Sequence, residues 1–414
     1  MKKPIETPPN PHDVLFTAAL GLLTPWKCTR TEFSKDLSRL DIFIDFEEGS
    51  RFSCPECRKK NLLIHDTSEK EWRHLDFFQH VCYLHARVPR VICPEHGTRL
   101  VDVPWSRPKS GFTLLFEALA IAYAREMAIL PASKLLGIHD TRLWRIVEHY
   151  VTDARSRVEY HEVRSIAVDE TSSKRGHNYV TVAADPEKKS VLYATKGKDK
   201  AAFERFTQDF HDHNGNTDAI KEICMDMSPA YVEAAKECLP NARITFDRFH
   251  VMKMANDALD ILRREEVRTD STLKGTKYLF LRKPENLTLN QSAELDAVLR
   301  MNSRMSRGYN LVLNLRTFYS LTSHDQEAYL KRWCGWASRS RLGPFKQLSK
   351  TIKSHWSGIM NYHKSGLTSG FMEGLNGIIQ TAKRKAKGFR NTDRFILIIY
   401  LIAGKLPINV AHSF

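Results

Sequence analysis

The strongest constraint on the fold lies between residues 164 and 247. Short apolar runs at 164–169, 178–184 and 190–195 follow one another with no room for a helix between them. The pattern then alternates: a helical period over about 199–212, a strand at 221–226, a helix over 229–238 and a strand at 242–247. Three strands in succession followed by alternating helix and strand predict a mixed α/β layer. The run Ser165-Ile166-Ala167-Val168 stops on Asp169, and Ile223-Cys224-Met225 stops on Asp226. An apolar strand that ends on an aspartate carries its carboxylate to the rim of the sheet, where clefts form.

The sequence on either side divides into further segments. Val14 to Leu23 reads as a short amphipathic helix rather than a secretion signal, because Glu6, Asp13, Pro4, Pro8, Pro9 and Pro11 break up its basic start. Residues 26–46 read as a hairpin, with Leu40, Ile42, Ile44 and Phe46 alternating with Asp41, Phe43 and Asp45. A linker carrying Pro104, Pro108, Ser110 and Gly111 leads to an apolar-periodic helix over 112–127. Pro131 can start a second helix holding Ala132, Leu135 and Leu136. Gly137 supplies a turn, and Asp140 or Thr141 can cap a third helix reaching about Val151. Leu136, Ile138, Leu143 and Ile146 would then be buried, while Thr141, Arg142, Arg145 and His149 face out. This is the layout of a helix-turn-helix, whose last helix enters the DNA major groove; a plain helical bundle is the competing reading. Residues 250–365 are helical by periodicity and rich in Lys and Arg, and helices at about 369–386 and 392–404 close the sequence. No apolar run approaches the ~18 residues that span a bilayer.

Charge and cysteines narrow the chemistry. A net charge of +15 and a pI near 9.4 suit a protein that meets a polyanion, most often nucleic acid. Eight cysteines in 414 residues are too sparse for a disulfide framework and fit a reducing cytosol. Cys54-Pro-Glu-Cys57 and Cys93-Pro-Glu-His96 share one spacer, and Gly97 follows the second. Two such knuckles can present Cys54, Cys57, Cys93 and His96 as a tetrahedron suited to a structural zinc ion, with no position left for water. Cys82 and His85 lie three apart in an apparent strand, so they point to opposite faces and chelate poorly. His74 and His80 read as surface residues.

Asp169 and Asp226 on neighbouring strand ends can share a divalent cation, and oxygen ligation favours Mg2+ or Mn2+. Glu373 is the candidate third carboxylate. It follows Gly366 and Ser369 near the start of a helix, one stripe of which reads Glu373, Asn376, Gln380, Arg384, Lys387. An acid with a basic ladder behind it would hold metal near a scissile phosphate and grip the adjoining backbone. Each residue also has a plainer reading: a strand-end Asp caps the next turn, a first-turn Glu complements the helix dipole, and Lys383-Arg384-Lys385 forms a solvated face.

Long motifs then give a specific resemblance. Ala167-Val168-Asp169-Glu170, Met225-Asp226-Met227-Ser228-Pro229-Ala230-Tyr231, Leu239-Pro240-Asn241-Ala242, Phe246-Asp247-Arg248-Phe249-His250-Val251 and Glu373-Gly374-Leu375-Asn376 through Lys383-Arg384-Lys385-Ala386-Lys387-Gly388-Phe389 resemble the ISL-three family of bacterial insertion-sequence transposases, of the DDE type. Two positions depart from the family's habit: His96 stands where a cysteine is commoner, and Ser369 precedes Gly370 in place of Asn.

The resemblance implies an α/β ribonuclease H-like catalytic domain with a helical insertion, preceded by a zinc-binding β module and a helix-turn-helix. The expected boundaries are 1–49 for the helix and hairpin, 50–110 for the zinc module and 111–160 for the helix-turn-helix. The catalytic domain's first part then covers 161–253, the insertion 254–365 and its last part 366–414. Asp169, Asp226 and Glu373 take the catalytic positions around two Mg2+ or Mn2+ ions, with Asp247 and His250 lining the site. Water would cut at the element's end, and the freed 3′-hydroxyl would attack target DNA. Thr141, Arg142, Arg145, His149, Lys383, Arg384 and Lys387 would contact double-stranded DNA. Trp333, Trp336 and Trp356 in the insertion would clamp DNA or mediate assembly, and a homodimer would form on DNA in the bacterial cytoplasm at the nucleoid. Competing functions are a catalytically inactive regulator on the same scaffold, and a ribonuclease H-type hydrolase that joins no strands.

Overall fold

The computed structural model describes residues 10–36, 38–174, 178–322, 325–365 and 370–410. Pro4, Glu6, Pro8 and Pro9, and Gly366 and Ser369 ahead of the Glu373 helix, lie outside the described residues. Of the described residues, 10–155 pack with 407–410 as one unit, and those within Ser156–Leu406 as another.

In the first unit, α1 (Pro11–Ala19) starts where the Asn10 side chain accepts the His12 N–H, with Pro11 in the first turn. β1 (Trp26–Ser34) and β2 (Arg39–Phe46) form the expected antiparallel hairpin. β3 (Ile64–Phe77), β4 (His80–Cys93) and β5 (Gly97–Leu100) follow. β2 pairs in parallel with β4, giving the order β1-β2-β4-β3 with β5 on β4. The stretches on either side of residue 50 therefore share one sheet. Leu40, Ile42 and Ile44 alternate into a common core with Leu84, Ala86, Trp72 and Trp105.

His74 is not a surface residue. β3 carries it inward, half-buried, with its Nδ1 2.9 Å from Thr113 Oγ1, and burial pushes its pKa down to about 4.

Three helices complete this unit: α2 (Leu114–Glu126), α3 (Ile129–Leu135) and α4 (Asp140–Arg155). Pro131 is the third residue of α3 rather than its first. Leu136, Leu143 and Ile146 are buried, Ile138 is half-buried, and Leu135 is exposed. Gly137 takes a φ of 64° in the turn, a value an L side chain would resist.

The second unit opens with β6 (Ser165–Ser172), β7 (Tyr179–Asp185) and β8 (Ser190–Lys196) as an antiparallel meander. α5 (Lys200–Asp212) crosses to β9 (Glu222–Met225), which pairs in parallel with β6. α6 (Pro229–Cys238) then leads to β10 (Arg243–Phe246), parallel to β9. The sheet order is β10-β9-β6-β7-β8. Ile166 and Val168 of β6 pack with Phe203, Phe206 and Phe210 of α5. By strand alternation Asp169 and Thr171 belong to the opposite face. Asp169 does not end its strand: Thr171 and Ser172 still pair with Val180 and Tyr179.

α7 (Arg248–Glu266) starts the helical region, followed by α8 (Lys277–Leu281), α9 (Leu289–Met301), α10 (Ser303–Phe318), α11 (Gln326–Arg339), α12 (Gly343–Ser354) and α13 (Trp356–Ser365). Their core holds Leu259, Leu262, Leu311, Leu315, Phe345 and Ile352. Trp333 is buried in it and donates its Nε1–H to the Leu311 carbonyl at 2.9 Å. Trp356 is half-buried against the same core, which leaves Trp336 as the one of the three with an exposed ring. α13 covers the edge strand β10: Asn361 Nδ2 donates to the Ile244 carbonyl at 2.9 Å. Gly358 permits that approach, since a Cβ there would stand 2.4 Å from the Phe246 ring. α14 (Gly370–Lys385) returns to the sheet, and α15 (Thr392–Ala403) closes the unit, its Tyr400 hydroxyl accepting the Ala194 N–H of β8 at 2.8 Å. Among the described residues no helix is long and apolar enough to cross a membrane.

Candidate functional site

The parallel strands β6, β9 and β10 bring three aspartates to one end of the sheet. Asp226 follows β9 and turns back to accept the Ser228 N–H at 2.7 Å. Asp247 follows β10 and caps α7 by accepting the Phe249 N–H at 2.8 Å. Asp169 lies in β6, where its Oδ1 accepts the Glu170 N–H at 2.7 Å. His250, in the first turn of α7, has its Nε2 3.8 Å from Asp169 Oδ1 and 3.9 Å from Asp247 Oδ2. These are ion-pair approaches rather than hydrogen bonds. Asp169 foremost holds the His250 pKa above its ordinary value, against the opposing effect of burial, and Asp247 and Asp226 add to the rise.

Glu170 points the other way from Asp169. Burial raises its pKa, the Asp226 and Asp169 charges raise it further, and Lys198 and the Tyr231 hydroxyl oppose the rise.

α14 runs past the Asp169 face of β6. Asn376 Nδ2 donates to Asp169 Oδ2 at 2.6 Å, Gln380 Nε2 donates to Thr171 Oγ1, and Lys383 Nζ donates to the Ser172 carbonyl at 2.6 Å and to its hydroxyl at 2.9 Å. Burial lowers the Lys383 pKa. Of the basic residues expected to face DNA on this helix, Lys383 is thus tied to the sheet, while Arg384 and Lys387 are exposed. Glu373 stands in the first turn of α14 and is exposed.

The donor set around Asp169 fits a hard divalent cation. Its ligand-type atoms are oxygens apart from His250, and Asn376 Oδ1 is buried beside them without a partner, an acceptor that an ion or its water would satisfy. The carboxylates are not drawn together as tightly as the cysteines. Among the described residues, Cys54, Cys57, Cys93 and His96 are the only group of three or more His, Cys, Asp or Glu whose ligand atoms all lie within 4.8 Å of one another.

In that cluster Cys57 Sγ is 3.6 Å from Cys93 Sγ, and His96 Nδ1 is 3.5 Å from Cys93 Sγ and 3.8 Å from Cys54 Sγ. A tetrahedral zinc ion with usual bond lengths needs edges of about 3.8 Å between sulfurs and about 3.6 Å from sulfur to nitrogen. The cluster meets that geometry. His96 turns its other nitrogen, Nε2, toward Glu56 Oε2 at 3.4 Å, the outer contact that fixes a metal-binding imidazole. Each knuckle turns through a left-handed residue, Arg58 (φ 60°) after the first and Gly97 (φ 68°) after the second. Cys82 is buried in β4 and His85 lies on the other face, so neither joins the cluster.

On α4, Thr141, Arg142, Arg145 and His149 are all exposed. Arg142 lays its guanidinium over the Phe112 ring at 4.1 Å. Beneath the helix Glu117 is fully buried and accepts from Arg107 at 2.9 Å, Ser110 at 2.8 Å and Tyr150 at 2.7 Å. Neither Glu117 nor Asn376 stood out as a site residue in the sequence, although Asn376 lies one turn after Glu373 on the same stripe.

Comparison with known proteins identifies the order of the domains. Three family models match in order: the zinc-finger of transposase IS204/IS1001/IS1096/IS1165 over residues 50–96, the helix-turn-helix domain of transposase family ISL3 over 101–151, and a transposase model over 166–399. The last spans more than half of the 414 residues. The transposase for insertion sequence element IS1557 of Mycobacterium tuberculosis is 30% identical over 387 residues, covering 86% of each chain. The transposase for IS1001 of Bordetella parapertussis is 26% identical over 401 residues, covering 92% of this chain and 96% of its own.

Proposed function

The chain belongs to the ISL3 family of transposases, and we propose that it cuts and joins DNA at the ends of its element through Asp169, Asp226 and Glu373 holding two Mg2+ or Mn2+ ions. The observation that carries this reading is the convergence of Asp169, Asp226 and Asp247 at one end of β6, β9 and β10, with His250 Nε2 3.8 Å from Asp169 and 3.9 Å from Asp247. Ligand sites in open α/β sheets lie outside the carboxyl ends of parallel strands, and this is such an end. The strand sequence, three antiparallel followed by two parallel, supports a ribonuclease H-like domain with an insertion over 254–365, from within α7 to α13.

When bound, the ions activate the attacking oxygen and neutralise charge on the leaving one. The protein's own part is to hold acceptors still. Asp169 is restrained by donors on both oxygens, Asp226 by its turn and Asp247 by its cap. Glu373, one turn ahead of Asn376 on α14, completes the carboxylate set. Asp247 and His250 line the site. Arg384 near the end of α14 and Lys387 just past it, at a left-handed residue (φ 55°), are exposed and available to the DNA backbone, where each basic contact adds affinity without reading sequence.

Cys54, Cys57, Cys93 and His96 hold a structural zinc. Thr141, Arg142, Arg145 and His149 read the element's terminal repeats from the major groove. Bringing two ends together requires at least a dimer on DNA.

The test compares wild type with Asp226→Asn on end-repeat DNA with Mg2+ or Mn2+. Cleaved and joined products from the wild type, lost in the variant with end binding retained, are expected. Wild-type cleavage without joining would mean a hydrolase, and binding alone a regulator; either result rejects the proposal.

A further inference from the structure

The contacts between α14 and β6 form a ladder. Asn376, Gln380 and Lys383 are spaced one helical turn apart, and their partners Asp169, Thr171 and Ser172 run in the same order along the strand. Two rungs end on groups with no metal-binding role. The first ends on Asp169 itself. With the Glu170 N–H on Oδ1 and the Asn376 amide on Oδ2, the carboxylate cannot rotate, yet each oxygen keeps acceptor capacity for a cation. The same Asn376 side chain carries an amide oxygen that is buried and has no partner. An amide used only as a fastener would not need its oxygen held dry and unpaired beside a carboxylate.

We propose that Asn376 is a positioning residue of the metal site: its N–H orients Asp169, and its Oδ1 accepts from a water of the bound ion. Gln380 and Lys383 fasten α14 to Thr171 and Ser172 and take no part in the metal site. This rests on the reading of Asp169 as a metal-binding carboxylate. Residues of this kind tune affinity for the ion by fixing its ligands, so their loss is felt in binding even where the fold survives.

The experiment measures Mn2+ binding to the full-length, zinc-loaded protein, from the electron paramagnetic resonance signal of free Mn2+, alongside thermal melting in metal-free buffer. Asn376→Ala and Asn376→Ser, the second guarding against a folding defect in the first, are expected to weaken Mn2+ binding by about 10- to 100-fold. Gln380→Ala removes a neighbouring rung without touching Asp169, and is expected to change Mn2+ affinity less than about threefold while lowering the melting temperature to a similar extent. Unchanged Mn2+ affinity in both Asn376 variants, or equal losses in the Asn376 and Gln380 variants, would show the ladder to be a fastener only and overturn the inference. Asp169→Asn separates this from the underlying reading: unaltered Mn2+ binding in that variant would remove the metal site itself.

Discussion

The buried Glu117 carboxylate offers the sharpest test of how α4 of the helix-turn-helix is held. It is wholly enclosed and is the common acceptor for Arg107 and Ser110 from the linker and for Tyr150 from α4. Replacing it with Ala strands three donors. Hydrogen bonds to a charged group contribute about 1.5–3 kcal/mol each, but they are not additive. The Arg107 side chain retains 23% exposure and can turn toward water. Breaking one side of a buried pair costs about 3–5 kcal/mol, and that range applies here. Glu117→Gln keeps the shape but turns an NH2 group toward donors, so its cost is smaller, about 1–3 kcal/mol. Urea unfolding followed by tryptophan fluorescence reads this unit through Trp105 and Trp144. With a slope of about 2 kcal/mol/M, the Ala variant's midpoint should fall by roughly 2 M and the Gln variant's by about half that. End-repeat binding should weaken in parallel, because Tyr150 anchors the helix that carries Arg145 and His149. A shift below about 0.5 M for the Ala variant, or a Gln variant less stable than it, would refute the reasoning.

Two further outcomes follow from the same unit. Cys93→Ser should remove a zinc ligand that also ends β4, so metal analysis should fall from one zinc per chain toward none and end-repeat binding should be lost; full zinc content in the variant would exclude Cys93 as a ligand. His74 introduces a pH dependence. Its folded pKa of about 4 lies below the ordinary 6.5, so the stability of its neutral form is fully present above pH 6.5 and is lost as the pH falls toward 4, up to about 3 kcal/mol at about 1.4 kcal/mol per unit. Unfolding midpoints at pH 7 and pH 5 should differ more in the wild type than in His74→Gln, and equal differences would refute the assignment.

Local signals in the sequence made most of the elements legible, and long-range pairing hid the rest. The strands of the α/β layer, the helix pairs and the two knuckles were readable because each is specified over a few residues by periodicity, a turn glycine or a matched spacer. The end of β6 was not, because Thr171 and Ser172 are polar and read as a turn. Their backbones stay in the sheet through β7, and their side chains are satisfied from α14, where Lys383 reaches Ser172 across 211 positions. His74 looked like a surface residue for the same reason, its partner Thr113 being 39 residues away. Trp333 carried no local mark separating a buried ring from an exposed one. Strand context singled out Asp169 and Asp226, which the structure brings to one end of the sheet beside Asp247. The role of Asn376 depends on a register between segments 207 residues apart, which no local pattern encodes.

On the proposed assignment of Glu373, β6 also accounts for a third carboxylate drawn from a distant helix. Asp169 and Glu170 are adjacent, but strand alternation sends them to opposite faces, and Glu170 ends beside Tyr231 and Lys198. Only one of the pair can join Asp226, Asp247 and His250, so on that assignment Glu373 comes from the helix that covers the Asp169 face. That face is polar at this end, with Asp169 and Thr171 side by side. A helix laid across it gains little from apolar burial there and has to be held by hydrogen bonds. α14 meets this requirement with Asn376, Gln380 and Lys383, while Met372, Leu375 and Ile379 bury elsewhere on its surface. Each such bond contributes only about 0.5–1.5 kcal/mol net, less than the burial of one large apolar side chain. α15, by contrast, is fixed by Phe395, Ile398, Ile399 and Leu401. The helix that carries Glu373 is therefore the more weakly held of the two at its site-facing surface, and the polar character that makes the face suitable for a cation is the physical cause.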